Sequence, residues 1–340
     1  MVYNSFKYEC RAIEFDKLGG DLKMSEKKSL FEVIKENMVN GELPTDFSLP
    51  REEAGEGELR WADGAMDGVR CYHMGQQDIT AEHMQKIADA FAVIADREKA
   101  WGLMKELFAQ VPPLSSIDAI QQYIRDNADK LDTKELYMFA FDSLNSSEVD
   151  IVKLGMLIIE IFSSEPVDMV KQTIRTLALS DEFSLFAIFN MFNWSNGNDE
   201  VFELAKKTHG WGRVHAVARF DAQTQEMKDW LLAEGINNAV LPDYSALDVY
   251  RKADIALRLK EDITNEQLVS IARVLTAMFD EGPVAGISAL DKNEAEQMLG
   301  DFIAQAQKHQ LNAEVCEVLK TLTEDERFQS LAAKCKELLP

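Results

Sequence analysis

From about residue 79 onward, apolar side chains recur at every third or fourth position with few interruptions. That spacing places them along one face of an α-helix. Met84, Ile87, Ala88, Phe91 and Ala92 form one such stripe. The spacing returns in Leu268, Ile271, Leu275 and Met278, and again in Met298, Leu299, Phe302, Ile303 and Ala306. It closes the chain with Phe328, Leu331, Ala332 and Cys335. Helix starts are predicted at Ser115-x-x-Asp118, Ser147-x-x-Asp150, Thr264-x-x-Gln267 and Thr323-x-x-Glu326, where a side-chain oxygen can accept from a free backbone N–H.

Residues 151–162, IVKLGMLIIEIF, are apolar almost all round, with Lys153 and Glu160 the only charges. Such a segment predicts a helix covered on both sides, since no second strand is at hand to pair with it. Phe183, Phe186, Phe189 and Phe192, and Met156, Met191, Met227, Met278 and Met298, read as core. Helices of this length joined by short turns predict an all-α chain, an α-α superhelix of about 14 to 16 helices in repeats of about 30 to 40 residues. The architecture resembles the HEAT and armadillo repeat proteins over roughly residues 80–338, although their proline and Asp-Arg signals are mostly missing.

The N-terminal part breaks this pattern. Met24 followed by Ser-Glu-Lys-Lys looks like a start of its own, so the first 23 residues read as a loosely attached extension. One helix is expected over about 25–40, punctuated by Asn40-Gly41. Residues 42–78 hold Pro44, Pro50 and several glycines, and the run 68–74 alternates weakly, as a short strand, part of a hairpin, or an extended loop would. The expected division is therefore an irregular cap over 1–78 and a helical-repeat domain over 79–340.

Charge changes the picture of partners. With 59 acidic residues against 36 Lys and Arg, the formal net charge is −23. Such a field repels phosphate backbones and anionic membranes, so neither nucleic acid nor membrane is an expected partner. A basic protein or peptide would be attracted, and the charge also keeps a protein soluble. Cys10, Cys71, Cys316 and Cys335 form no C-x-x-C pair and suit free thiols in a reducing cytoplasm. No apolar leader opens the sequence and no run approaches the ~18 to 20 apolar residues of a membrane span.

Three stretches carry a closer resemblance: Leu43-Pro-Thr-Asp-Phe-Ser-Leu-Pro50, Ala62-Asp-Gly-Ala-Met-Asp-Gly68 through Tyr72-His-Met-Gly75, and Gly210-Trp-Gly-Arg213 followed by Asp229-Trp-Leu-Leu232. Together they resemble a family of helical proteins of Gram-positive bacteria, some of which carry the label limonene hydroxylase. The resemblance spans most of the chain and implies a helical fold. It brings no assigned active site, so no residue roles carry over.

A hydroxylase needs haem, flavin or a metal to activate oxygen. The chain has no G-x-G-x-x-G, and none of His73, His83, His209, His215 and His309 has an acid two residues on, as a two-histidine, one-carboxylate iron site often does. P-loop, G-x-S-x-G and H-E-x-x-H motifs are also missing. No cofactor is expected. Two groups stand out nevertheless. Asp63, Asp67, Cys71 and His73 mix carboxylates, a thiol and a base, so they make a candidate enzyme or metal-dependent site, with a structural turn at the two Asp-Gly pairs as the other reading. Residues 206–219 reverse the local charge around Gly210-Trp211-Gly212. Trp211, Arg213, His215 and Arg219 could bind an anionic group or acidic peptide, or could join two helices. The reading that unites these features is a non-enzymatic, cytoplasmic helical-repeat protein, an interaction scaffold or inhibitor for a protein or peptide partner.

Overall fold

The computed structural model describes residues 27–50, 61–75, 77–162 and 165–339. The described chain is all-α. It divides into two compact units, Met1–Ala216 and Val217–Pro340. The first holds α1 (Leu30–Asn37), α2 (Ala65–Val69), α3 (Ala81–Phe91), α4 (Arg97–Phe108), α5 (Pro113–Asp126), α6 (Thr133–Leu144), α7 (Val149–Ile159), α8 (Asp168–Ala178), α9 (Asp181–Met191) and α10 (Gly197–Lys207). The dividing point falls inside α11 (Trp211–Arg219). The second unit holds α12 (Gln225–Glu234), α13 (Asp243–Lys252), α14 (Ile255–Arg258), α15 (Asn265–Phe279), α16 (Lys292–Ala306), α17 (Ala313–Glu324) and α18 (Gln329–Leu338). Among the described residues no helix is long and apolar enough to cross a membrane.

Packing follows chain order. In the first unit α3 lies on α4, α6 on α7 and α8 on α9, while α3 also meets α5, α5 meets α7 and α7 meets α9. In the second unit α17 lies on α18, with α13 against α15 and α15 against α17. The inner helix predicted at 151–162 is α7, whose residues Ile151 through Ile159 are all buried. Gly155 lets α6 come close, because a Cβ there would stand 2.7 Å from the Ala140 carbonyl oxygen. Carbonyls near the end of α7 accept from neighbours: Gln121 donates to Leu157 at 3.0 Å and Asn190 to Met156 at 3.0 Å. The five core methionines are buried, as are Phe183 and Phe186. Phe189 is half-buried and Phe192 is exposed, because the three-residue spacing drifts round α9 and carries its last ring off the packed face.

The N-terminal segment departs from expectation. Residues 68–74 are neither strand nor extended loop: α2 runs directly into a π-helical turn, Arg70–Met74. Gly64, at φ +72°, turns the chain into α2. Asp67, Gly68 and Tyr72 then face inward at helical spacing, and their tertiary contacts outweigh a weak seven-residue alternation. Asp63-Gly64 does form a turn, but Asp67-Gly68 lies within the helix. The predicted first helix is shorter than expected, spanning Leu30–Asn37 behind a reciprocal cap between Ser29 and Glu32. Asn40 and Gly41, expected to end that helix, instead form a positive-φ turn between Val39 and Glu42, beyond its C-cap at Met38. Residues 1–26, Cys10 among them, and residues 51–60 lie outside the described residues.

Candidate functional site

The two interruptions of the helical pattern meet in space at the start of α9. Ser180 enters that helix in an extended conformation, and Asp181 and Glu182 follow as its first two residues. The adjacent carboxylates serve different elements. Asp181 Oδ1 accepts from the Gly212 N–H at 2.8 Å, and the carboxylate also accepts from the backbone of Gly210 and Trp211. It thereby satisfies donors that the first turn of α11 would leave open. Glu182 Oε2 accepts from the Gly64 N–H at 2.9 Å, fastening the turn into α2. Glu182 Oε1 and Asp67 Oδ2 each receive a hydrogen bond of 2.6 Å from the Lys153 ammonium. Asp67 and Lys153 are each about 95% buried, so the group forms an internal ion triad between α2, α7 and α9.

Glycine makes the approach possible. A Cβ on Gly68 would lie 2.3 Å from the Trp211 ring, and one on Gly212 would lie 2.4 Å from Ser184 Oγ. Trp211 is buried, with the Tyr72 ring 6.0 Å away and the His215 ring 5.8 Å away. Tyr72 stacks on His215 at 6.4 Å with an interplanar angle of 13°. Asp63 sits at the edge, accepting from the Leu49 N–H at 2.9 Å.

The basic residues of the junction are placed by the ends of helices. Arg213 is buried, and its guanidinium donates to the carbonyls of Thr208 at 2.7 Å, Ala205 at 3.1 Å and Lys206 at 3.3 Å. It closes the C-terminus of α10, a task that suits the planar fork of arginine. His215 is fully buried. Arg219 belongs to the second unit, where it is half-buried near Asp248 and Lys252. The four residues of the predicted binding group are therefore not presented as one exposed set. The Asp63, Asp67, Cys71, His73 group also divides, with Asp67 turned inward to Lys153 and Cys71 and His73 exposed on the π turn. Among the described residues no three or more His, Cys, Asp or Glu side chains stand close enough to hold a metal ion.

Electrostatics fix what this cluster can do. Burial pulls the Lys153 ammonium toward neutrality, but Glu182 and Asp67 outweigh it and hold its pKa above the ordinary lysine value. It remains a cation rather than an amine nucleophile. Asp181 moves the other way: burial pushes its carboxyl up to about 6, nearby Asp63 adds to that, and three backbone N–H groups restrain it. Burial also raises Asp150, one turn before Lys153, with Glu182 and Asp67 adding to the effect and Lys153 opposing it. The arrangement is suited to holding α2, α7, α9 and α11 in register.

Lys153, Asp181 and Glu182 were not singled out as site residues by pattern. The available signal was Lys153 itself, the one cation in a helix apolar almost all round that must be covered on both sides. A buried lysine requires buried acids, and the Asp-Glu pair opening α9 supplies one of them. No family model matches the chain, and neither does any curated protein or any solved structure.

Proposed function

We propose that this chain is a non-enzymatic helical-repeat protein of HEAT-like architecture, acting as an interaction scaffold or inhibitor for a basic protein partner. The observation that carries the reading is the destination of the conspicuous polar residues. Asp67, Lys153, Asp181, Glu182 and Arg213 all complete the framework, bonded to one another or to helix ends. What remains for function is the outer surface of a strongly acidic chain. Packing of several helices on a neighbour, and of alternate helices on one another within each unit, also supports a repeat architecture. In this reading Trp211, Arg213 and His215 hold the surface in shape, and the partner meets exposed acids such as Glu82, Asp89, Glu98 and Glu106.

Affinity capture with purified chain, run across a salt series, tests this. Captured basic partners should be lost as salt rises, and lost at low salt when those four acids are changed to Gln or Asn. Capture indifferent to both changes would overturn the proposal. So would stoichiometric zinc or iron in the purified protein that disappears with Cys71→Ala and His73→Ala together.

A further inference from the structure

A cavity of about 710 Å³ lies in the first unit, between the entry to α1, the end of α4 and the start of α7. Its size falls within the roughly 300 to 1,000 Å³ common for small-molecule sites. The charge of its lining runs against the rest of the chain. Among the described residues that line it, Lys27, Lys28 and Lys105 stand with Glu148 and Asp150, so cations outnumber acids there, in a chain of net charge −23. The apolar part of the wall comes from Leu30, Val33, Ala109 and Val149.

Among the described residues, two of the lysines are held by surface ion pairs. Lys28 meets Glu36 at 2.8 Å with both side chains more than half exposed, and Lys105 meets Glu148 at 3.5 Å with each about half exposed. Exposed pairs of this kind contribute little, so an incoming anion can take over either ammonium at small cost. The start of α7 adds to the attraction. Its first turn, which carries Asp150, lines the cavity, and Glu148, at the capping position, makes no side-chain cap to it. The positive end of the helix dipole favours negative charge there.

We propose that this cavity binds a small organic anion, a carboxylate or phosphate head joined to a compact apolar body. The head sits between Lys28, Lys105 and the first turn of α7, and the body rests on Leu30, Val33, Ala109 and Val149. Ammonium groups suit either head, since they act as point charges without the planar preference of arginine. The site does not depend on the scaffold reading, and it is tested with purified protein and small molecules alone.

Isothermal titration with phenyl phosphate, phenylacetate, inorganic phosphate and benzyl alcohol decides the matter. One-to-one binding with a Kd below about 1 mM is expected for at least one of the two aromatic anions. Binding of phenyl phosphate alone assigns a phosphate ligand, and binding of phenylacetate alone assigns a carboxylate. Lys28→Gln and Lys105→Gln, made separately, should each weaken that binding by about 10-fold, the loss of one charge-assisted hydrogen bond. Both side chains are exposed, and far-UV circular dichroism confirms that each variant folds; if one does not, the other decides. The proposal is overturned if neither aromatic anion binds, if benzyl alcohol or inorganic phosphate binds as tightly as the aromatic anion that does bind, or if the folded lysine variants bind it unchanged.

Discussion

Gly68 and Gly102 both lie inside helices, and replacing each by alanine should move stability in opposite directions. At Gly102, exposed in the middle of α4, a new Cβ meets nothing within 4 Å. The substitution only removes backbone freedom from the unfolded chain, so Gly102→Ala should stabilise by about 0.5–1 kcal/mol. At Gly68 the new carbon would stand 2.3, 2.4 and 2.5 Å from three carbons of the Trp211 ring. Carbon atoms in contact prefer about 3.5–4.0 Å, so the ring or α2 has to move by roughly 1 Å. The ring is enclosed by Tyr72 and His215, and moving α2 disturbs the Lys153–Asp67 and Gly64–Glu182 bonds. Overpacking of this kind costs about 1–3 kcal/mol, partly offset by the same gain of about 1 kcal/mol in helix propensity. The two variants should differ by about 2 kcal/mol, measured by urea denaturation followed with both circular dichroism and tryptophan fluorescence. In a Trp211→Leu background the penalty of Gly68→Ala should largely vanish. A Gly68→Ala variant as stable as Gly102→Ala would refute the docking of α2 against α11.

Three further outcomes follow from the polar cluster. Asp181 titrates at about 6 in the folded chain against an ordinary value of 3.8, so its contribution to stability is fully present below about pH 3.8 and lost as pH rises through 6. Asp181→Asn should remove that component, on the order of 3 kcal/mol between the two limits; a difference between wild type and variant that does not change from pH 4 to 7 contradicts the burial argument. Lys153→Met leaves Asp67 and Glu182 buried without their cation and should destabilise by about 3–5 kcal/mol, with much of the loss recovered when Asp67→Asn and Glu182→Gln are added. If the single variant unfolds at the same urea concentration as wild type, the triad has no energetic role. Arg213→Lys should lose about 1–3 kcal/mol and speed hydrogen exchange of the last amides of α10, because a single ammonium cannot reach three carbonyls in the geometry of the guanidinium; unchanged exchange there would count against the capping role.

Periodicity was enough to read the helices, because an amphipathic stripe depends only on which face is buried. Helix starts were less legible. Thr264 and Gln267 form the reciprocal cap their spacing predicts. The same pattern at Ser115 misleads, since α5 begins at Pro113 and places Ser115 inside its first turn. At Ser147 the helix starts two residues later behind Glu148, and Ser146 Oγ takes the Glu148 N–H. Thr323 belongs to the last turn of α17, and Asp325 caps the short turn that follows. His83 closes a cap with Thr80 through its Nδ1, a use of histidine that a Glu/Gln template passes over. These errors share one cause: a capping side chain is chosen by where the backbone turns, and local letters fix that only weakly.

The surroundings of the candidate site residues were not legible for a different reason. Pattern placed unusual polar residues at 63–73 and at 206–219, and both departures from helical regularity are real. What a linear reading cannot supply is that they answer each other across some 140 positions of chain, with α7 and α9 between them. Each side shows half of a contact. Gly64 and Gly68 leave space that only Trp211 and the start of α9 explain, and Gly210 and Gly212 leave space for Asp181. Lys153 shows a buried cation without its acids, while Asp67 and Glu182 show acids without their cation. Charge in such places resembles chemistry, because catalytic groups and structural ion clusters use the same side chains under the same burial. The distinction lies in the remaining valences. Here the Lys153 ammonium is shared between two carboxylates, the Arg213 guanidinium reaches three carbonyls and the Asp181 carboxylate receives three backbone donors. Groups bonded this fully act on the shape of the protein.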